Sequence, residues 1–212
     1  MKKSGLFLMA ICLLSLAACT STKLTSSWKT PDAKLQKEQK IMVVALVPKQ
    51  ERKLRQLMEE NLVTELRKEG YNAVSAFATY GPDDALAKGD EKAALRKFKS
   101  SDVAQVMTVA MVDKSRQRSY RPGYYDPYPY YGGWGWGPYY RGWYGGMYGG
   151  PGYYQVNVKY KWETNLYDLN EKKLLYNAES DSVDPPTAYR QAYLFAHQIV
   201  KDMQKQQLIA KN

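Results

Sequence analysis

A strict two-residue alternation of apolar and polar side chains near the C-terminus limits the fold more than any other pattern in the chain. It covers residues 155–167, where Val, Tyr, Trp, Thr and Leu alternate with Gln, Asn, Lys and Glu. This period predicts a strand that buries one face and exposes the other to solvent. Residues 168–172 (DLNEK) then predict a turn, and a second strand follows. The sequence therefore predicts an antiparallel hairpin.

Hydrophobic and charge pairing select the same register for this hairpin. The hydrophobic pairing places Leu166 opposite Leu174. The same register joins opposite charges on the polar face: Lys161 with Glu179, and Lys159 with Asp181.

Other segments are assigned from their own periods. The continuous apolar runs 41–47 and 103–112 predict strands that are buried on both faces, and 71–77 predicts a further strand. Apolar residues at three- and four-residue steps predict helices over 50–69, from Asp90 to 99, and after Pro186 to about 208. The stripe of the last helix is Tyr189, Ala192, Tyr193, Ala196, Val200 and Met203.

These elements predict one α/β domain over residues 41–208 of the 212-residue chain. Their order is β-α-β-α-β-insert-β-β-α. We expect a two-layer sandwich in which three helices pack on a mixed, five-stranded sheet. The preceding residues 19–40 are polar and rich in serine, threonine and lysine, which predicts a tether.

The N-terminus reads as an export signal. Lys2 and Lys3 precede a thirteen-residue apolar run over 6–18, which is too short to span a bilayer. Residues 16–19 (LAAC) resemble the lipobox of bacterial lipoproteins, which implies that a signal peptide of residues 1–18 is removed and that Cys19 receives diacylglycerol and a further acyl chain such as palmitate. An ordinary secretory signal is the alternative. Thr20 stands where aspartate would signal inner-membrane retention, so in a cell with two membranes the resemblance implies the outer membrane, with the domain facing the periplasm. In a cell with a single membrane, it implies that cell membrane.

The sequence offers few groups for catalysis or metal binding. Its two cysteines, Cys12 and Cys19, both lie in the leader region, and His197 is its single histidine. We therefore predict no disulfide, no metal site, no cofactor and no catalytic residues. Acid pairs such as Glu59 with Glu60, Asp83 with Asp84 and Glu179 with Asp181 leave an uncharacterised hydrolase as a third-ranked alternative. Glu59 and Glu60 are predicted to lie on a solvated helix face.

A low-complexity insert over residues 120–154 holds most of the chain's 19 tyrosines and 15 glycines. An irregular loop without a ligand, contact with envelope glycan or anionic lipid, and self-association are the alternatives. Just before the insert, Lys114, Arg116 and Arg118 alternate with other residues, so in an extended chain their side chains share one face. The whole chain is basic, with a net charge of +10. The candidate binding residues are Lys114, Arg116, Arg118, Arg121, Arg141, Trp134, Trp136 and Trp143.

Three short motifs resemble a family of bacterial envelope lipoproteins known as a domain of unknown function. The motifs are Ser26-Ser27-Trp28, residues 163–168 (ETNLYD), and Ala178-Glu179-Ser180 followed by Asp184-Pro185. The resemblance covers roughly residues 24–208. It implies a compact α/β domain on a lipid anchor, with no reaction or cofactor.

The sequence therefore predicts a non-enzymatic interaction or envelope-maintenance module attached to a membrane through its N-terminal lipid. The alternative is a binding protein for envelope glycan or anionic lipid that uses the insert and the nearby cations. Another envelope protein is a further possible partner. Export argues against nucleic acid.

Overall fold

The computed structural model describes residues 22–82, 91–121 and 153–211. Within these residues, six strands form one sheet, and four helices pack against it. The strands are β1 (Thr22–Lys29), β2 (Ile41–Leu46), β3 (Ala73–Ser75), β4 (Gln105–Arg121), β5 (Tyr153–Asp168) and β6 (Lys173–Val183). The helices are α1 (Arg52–Lys68), α2 (Ala76–Tyr80), α3 (Glu91–Ser100) and α4 (Ala188–Lys205), and a single 3-10 turn, Lys49–Glu51, precedes α1.

The sheet is mixed, and its strand order is β1-β6-β5-β4-β2-β3. β1, β6, β5 and β4 are antiparallel neighbours, whereas β4, β2 and β3 run parallel. Helices α1 and α4 cover one face, which we call the helix face. This arrangement confirms the predicted α/β sandwich with a mixed sheet. The described residues form four helices instead of the predicted three, because the short α2 begins within the segment 71–77 that was predicted as a strand.

The strand count differs from the predicted five because part of the expected tether is strand β1. Thr22 is fully buried, and its Oγ1 atom lies 3.0 Å from Oγ of Ser182. Just after α4, the Gln206 side chain donates a 2.6 Å hydrogen bond to Ser27 Oγ. The polar composition of residues 19–40 predicted a tether and not a strand. That prediction was wrong for β1 because an edge strand needs few apolar residues when its backbone and hydroxyl groups have hydrogen-bond partners.

The central strands and α1 match their predicted patterns closely. Residues 41–45 of β2 are buried on both faces. Helix α1 is followed by Gly70, whose φ of +85° lets the chain turn away from the helix end, as predicted. The strand predicted over 71–77 is only Ala73–Ser75. It stops there because Ser75 Oγ accepts a 3.0 Å hydrogen bond from the Ala78 amide and caps α2.

A second apolar cluster lies on the other side of the sheet. Ala94 and Phe98 of α3 pack there against Met42, Val44 and Val106. Helix α3 therefore covers only the β2–β4 side of this face. The remainder, over β5, β6 and β1, is not covered by a helix of the described chain, and we call it the open face.

The predicted hairpin exists, but its predicted register is wrong by two residues. Leu166 lies opposite Tyr176, and Lys161 lies opposite Asp181. Even so, Lys159 Nζ reaches Asp181 Oδ2 at 2.7 Å across a diagonal. From Leu166 away from the turn, a shift of two residues leaves each side chain on its predicted face. Next to the turn, an irregularity pairs Tyr167 with Leu174. The prediction that Leu174 faces the core is therefore wrong, and Leu175 is buried in the core instead.

Helix α4 also buries a slightly different stripe from the predicted one. Phe195 and Ile199 are buried in the core, whereas Tyr189 is 60% exposed. The Phe195 ring contacts the buried Trp162 ring of β5, with centroids 5.8 Å apart. Thr187 caps the helix by accepting a hydrogen bond from the Arg190 amide.

Candidate binding surfaces

A row of polar and aromatic side chains crosses the open face on four adjacent strands. Trp28 pairs with Asn177, Asn177 with Asn165, and Asn165 with Thr108. Directly paired residues point to the same face of a sheet. The row therefore brings residues from four separate segments together on one solvent-facing surface.

A second row lies beside the first, two residues nearer to the start of β1. It pairs Ser26 with Glu179 and Glu179 with Glu163. Like charges that lie directly opposite each other destabilise a sheet. The two carboxylates therefore repel each other across the strand pair, while Glu163 Oε1 accepts hydrogen bonds from the side-chain amides of Asn165 and Asn177.

Hydrogen bonds fix the amide groups of the open face. Asn177 Nδ2 donates to Asn165 Oδ1 at 2.7 Å, and Asn165 Nδ2 donates to Glu163 Oε1 at 2.9 Å. The Trp28 side chain stands next to this network and is 49% exposed. We define Trp28, Glu163, Asn165, Asn177 and Glu179 as the open-face platform.

The platform has the chemistry of a binding surface. An exposed indole stacks on apolar ligand faces, while amides and carboxylates exchange hydrogen bonds with hydroxyl groups. Glu179 lies exposed on this face, and Glu163 is partly buried.

The structure places the three predicted cations on one face of β4. Lys114, Arg116 and Arg118 pair in turn with Tyr160, Val158 and 156 on β5. An irregularity in the pairing between Met111 and Asp113 shifts the alternation. As a result, the three cations lie on the same side of the sheet as α1 and α4.

The three cations differ in their contacts. Lys114 forms an ion pair with Glu51, and its ammonium group lies 5.1 Å from the centre of the Tyr160 ring. The hydrogen bond to Glu51 raises the pKa of Lys114 above its ordinary value. Arg116 and Arg118 are exposed, which leaves them accessible to a ligand.

Several predicted site residues lie outside the described residues. These are the lipid-attachment residue Cys19 and the insert residues Trp134, Trp136, Arg141 and Trp143. Arg121 ends β4. Among the acid pairs, Asp83 and Asp84 also lie outside.

The prediction for Glu59 is wrong, because this side chain is fully buried instead of solvated. Its Oε1 atom accepts hydrogen bonds from the Ala45 amide at 3.0 Å and from Arg55 Nε at 3.2 Å. Its Oε2 atom accepts from Ser75 Oγ at 2.7 Å and from the Phe77 amide at 2.6 Å. Glu59 therefore joins α1 to β2, β3 and α2, and its contacts are those of a structural group.

His197 lies on α4, where it faces α1. Its Nδ1 atom is 3.1 Å from Glu65 Oε2, and its side chain is 54% exposed. Burial opposes ionisation of Glu65, but hydrogen bonds from Lys68 and His197 outweigh it and lower the pKa of this carboxyl group. The pair therefore joins the two main helices at their outer surface.

The rest of the described chain offers a cavity but no metal-binding cluster and no membrane-spanning helix. No group of three or more His, Cys, Asp or Glu side chains is arranged there to hold a metal ion, and no helix there is long and apolar enough to cross a membrane. A cavity of about 350 Å³ lies between Leu35, Tyr71 and Leu208. Lys34 and Lys211 also line it, but no carboxylate or imidazole of the described chain does.

Comparisons with known proteins give weak similarities. No family model matches the chain, and no curated protein matches it. A PelC dodecamer from Paraburkholderia phytofirmans is 11% identical with a TM-score of 0.45, and the match covers 90% of this chain and 99% of that chain. The lipoprotein GNA1162 from Neisseria meningitidis is 12% identical with a TM-score of 0.44, covering 79% of this chain and 99% of that chain. Such low values do not assign a function.

Proposed function

We propose that the chain is an envelope lipoprotein whose α/β domain is anchored to the outer membrane through Cys19 and acts by binding, without catalysing a reaction. The observation that carries this proposal is the leader, in which a positive start and a short apolar run end at LAAC. Two or more acyl chains at Cys19 attach a protein lastingly to a bilayer, whereas one chain holds it only marginally.

The fold supports this proposal through the position of its first strand. Strand β1 begins at Thr22, three residues after Cys19, and it pairs along β6. The proposed anchor therefore leads directly into the sheet, so the lipid holds the folded domain close to the membrane surface.

Fractionation of cells that express the wild-type chain or Cys19→Ala tests the proposal. Wild-type protein is expected in the outer-membrane fraction, and Cys19→Ala in the soluble periplasmic fraction or as an unprocessed precursor. Ser26→Ala serves as a matched control, since this exposed residue lies close by in the sequence. Wild-type protein in the soluble fraction would contradict the anchoring.

The second candidate function is binding of an envelope glycan at the open-face platform. It is favoured by the position of the exposed Trp28 indole beside the fixed amides of Asn165 and Asn177. Stacking and hydroxyl recognition on one surface are the two interactions that a glycan requires. The platform also lies within the described domain, apart from the low-complexity insert.

Co-sedimentation with purified cell-wall glycan separates the two candidates. Under glycan binding, Trp28→Ala reduces retention at least tenfold, while Tyr189→Ala retains the wild-type value. Tyr189 is a suitable control because it is an exposed aromatic residue on a different element. A chain lacking residues 122–152 distinguishes the platform from the insert, since the platform predicts full retention for that variant.

A further inference from the structure

The starting point is the end of the sheet at which the chain enters the fold. Strands β1 and β5 begin at this end, and β2, β4 and β6 finish there, because β1 and β5 run antiparallel to the others. We call it the N-terminal end of the sheet. Thr22, Leu46 and Val183 mark it.

The anchor site lies within a short reach of this end. Three residues of fully extended chain span at most about 10 Å, and Thr22 is held in the sheet by its pairing with Ser182. If Cys19 is acylated, its Cα atom lies about 10 Å or less from Thr22, so the acyl chains enter the bilayer close to this end of the sheet. The N-terminal end of the sheet must then face the membrane.

Strands β4 and β5 extend past this end as a two-stranded projection. Val183, the last residue of β6, pairs with Lys159, whereas the β4–β5 pairing continues to Arg121. The pairings Thr22 with Ser182, Ser182 with Tyr160, and Tyr160 with Lys114 put Lys114 level with Thr22. At about 3.3 Å per residue, Arg116 and Arg118 lie about 7 and 13 Å beyond that level.

The exposed charges at this end are mainly positive. Besides Arg116 and Arg118, the exposed cations Lys49, Arg52 and Lys53 lie where α1 begins. Two acids at this end pair with lysines, since Glu51 pairs with Lys114 and Asp181 pairs with Lys159. Asp184, directly after β6, is exposed, and its Oδ1 atom accepts a hydrogen bond from the amide of Val158, the residue that pairs with Arg116. Asp113 is exposed and interrupts the cations.

From the reach of the anchor and this charge pattern, we infer that the N-terminal end of the sheet rests on the bilayer and that Arg116 and Arg118 contact phosphate groups of anionic phospholipids. This inference rests on the proposed lipid anchor and adds the partner of the anchored end. Guanidinium groups bind phosphate oxygens through paired hydrogen bonds, and anionic surfaces attract near-surface cations. Together, lipid and cations fix the orientation of the domain and direct the open-face platform sideways from the membrane.

Vesicle binding of the mature full-length chain carrying Cys19→Ser tests the contact without the anchor. With vesicles of phosphatidylcholine containing phosphatidylglycerol, Arg116→Ala/Arg118→Ala is expected to weaken binding roughly 25-fold, at about fivefold for each cation near the surface. Raising the salt concentration should weaken the wild-type chain and narrow this difference. Pure phosphatidylcholine vesicles should bind both chains poorly.

Lys201→Ala/Lys205→Ala is the matched control. It removes the same charge from exposed positions on the C-terminal half of α4, away from the N-terminal end, and it should leave vesicle binding unchanged. Equal losses in the two double variants, or equal binding to neutral vesicles, would overturn the inferred contact. Competition by inorganic phosphate alone at low concentration would assign the site to a free anion instead.

The two proposals fail in different ways. If Cys19 is acylated but Arg116→Ala/Arg118→Ala binds anionic vesicles like the wild-type chain, the phosphate contact is wrong and the anchor stands. If the vesicle result holds but Cys19 carries no lipid, the anchor is wrong and the basic end remains a phospholipid-binding surface.

Discussion

The two faces of strands β5 and β6 have opposite environments, although their residues alternate along the same backbone. On the helix face, Trp162, Leu166 and Tyr176 are almost completely buried beneath α1 and α4. On the open face, Asn165 and Asn177 are half-buried and Glu179 is exposed. Stability therefore depends chiefly on one face, and the other retains polar and aromatic groups that can meet a ligand.

The largest expected effect is on the helix face, at Glu59. Glu59→Ala removes four hydrogen bonds and leaves the Arg55 guanidinium buried without its carboxylate. Breaking a buried ion pair from one side typically costs about 3–5 kcal/mol, so we expect the free energy of unfolding to fall by about 4–5 kcal/mol. Urea titration followed by circular dichroism measures the change.

Glu60→Ala is the control for this prediction, because Glu60 is the exposed neighbour on the same helix. Its change should remain within about 0.5 kcal/mol. Should Glu59→Ala prove too unstable to purify, Glu59→Gln keeps the shape and one acceptor and should lose less. Equal, small losses at both positions would mean that Glu59 is not the structural group described.

Phe195→Ala compares the two faces directly when it is measured beside Trp28→Ala. Phe195 is fully buried against Trp162, so removing its ring costs a transfer term and a cavity term of about 3–4 kcal/mol together. Trp28 is half exposed on the open face, and its substitution should cost less than about 1 kcal/mol. The free energies of unfolding of the two variants test this difference, and similar losses would erase the contrast between the faces.

A smaller effect is expected at Tyr176, on the same helix face. Its hydroxyl donates a 2.8 Å hydrogen bond to Asp202 Oδ2, and burial raises the pKa of the phenol far above its ordinary value. Tyr176→Phe keeps the packing but leaves the carboxylate with one partner fewer, so stability should fall by about 1–2 kcal/mol. Tyr189→Phe, at an exposed site, should cause no measurable shift in melting temperature. A neutral result for both would show that this hydrogen bond contributes nothing.

The smallest effect is a pH dependence at the outer edge of the helix layer. Because the pKa of Glu65 is lowered by folding, its ion pairs stabilise the protein above the ordinary pKa of a glutamate, about 4.3. This contribution disappears as the pH falls through the folded-state value. Glu65→Gln should therefore lose about 1 kcal/mol at pH 7, and this loss should shrink as the pH falls below the ordinary pKa of a glutamate.

Chemical unfolding of the wild-type chain and Glu65→Gln at several pH values measures this dependence. Glu60→Gln provides the comparison at an exposed carboxylate. A constant difference between wild type and Glu65→Gln across the whole range would contradict the assigned ion pairs.

Much of the fold follows from periodicity alone. The unbroken apolar run of β2, the three- and four-residue steps of α1 and the alternation of β5 each identify an element and its buried side. The hairpin register does not follow, since shifts by two residues keep the same faces and differ only in cross-strand partners. An irregularity between Leu166 and Tyr167 also changes the register next to the turn, and no pairing rule applied to the sequence predicts it.

Two other features were missed for a different reason. The polar composition of β1 resembles a tether because this edge strand is stabilised largely by backbone, hydroxyl and amide groups of β6 and of the α4 region. Glu59 was predicted to be solvated because it is charged. It is buried because its carboxylate accepts hydrogen bonds from three other elements, β2, β3 and α2. The four-residue spacing of Arg55 and Glu59 was the available signal, and it also occurs on exposed helix faces.

The candidate surfaces were predicted only in part. Alternation alone placed Lys114, Arg116 and Arg118 on one face, and the strand pairing agrees. Asn165 was predicted on the polar face of β5, but its neighbours Asn177 and Trp28 depend on the true register and on the missed strand. A binding surface that joins four strands cannot be assembled before their pairing is known.

Mass spectrometry of the N-terminal peptide from membrane-extracted protein tests the anchored placement most directly. The account predicts a chain that begins at Cys19 and carries the added mass of a diacylglyceryl group and an amide-linked acyl chain. A chain that begins at another residue, or an unmodified Cys19, would contradict it.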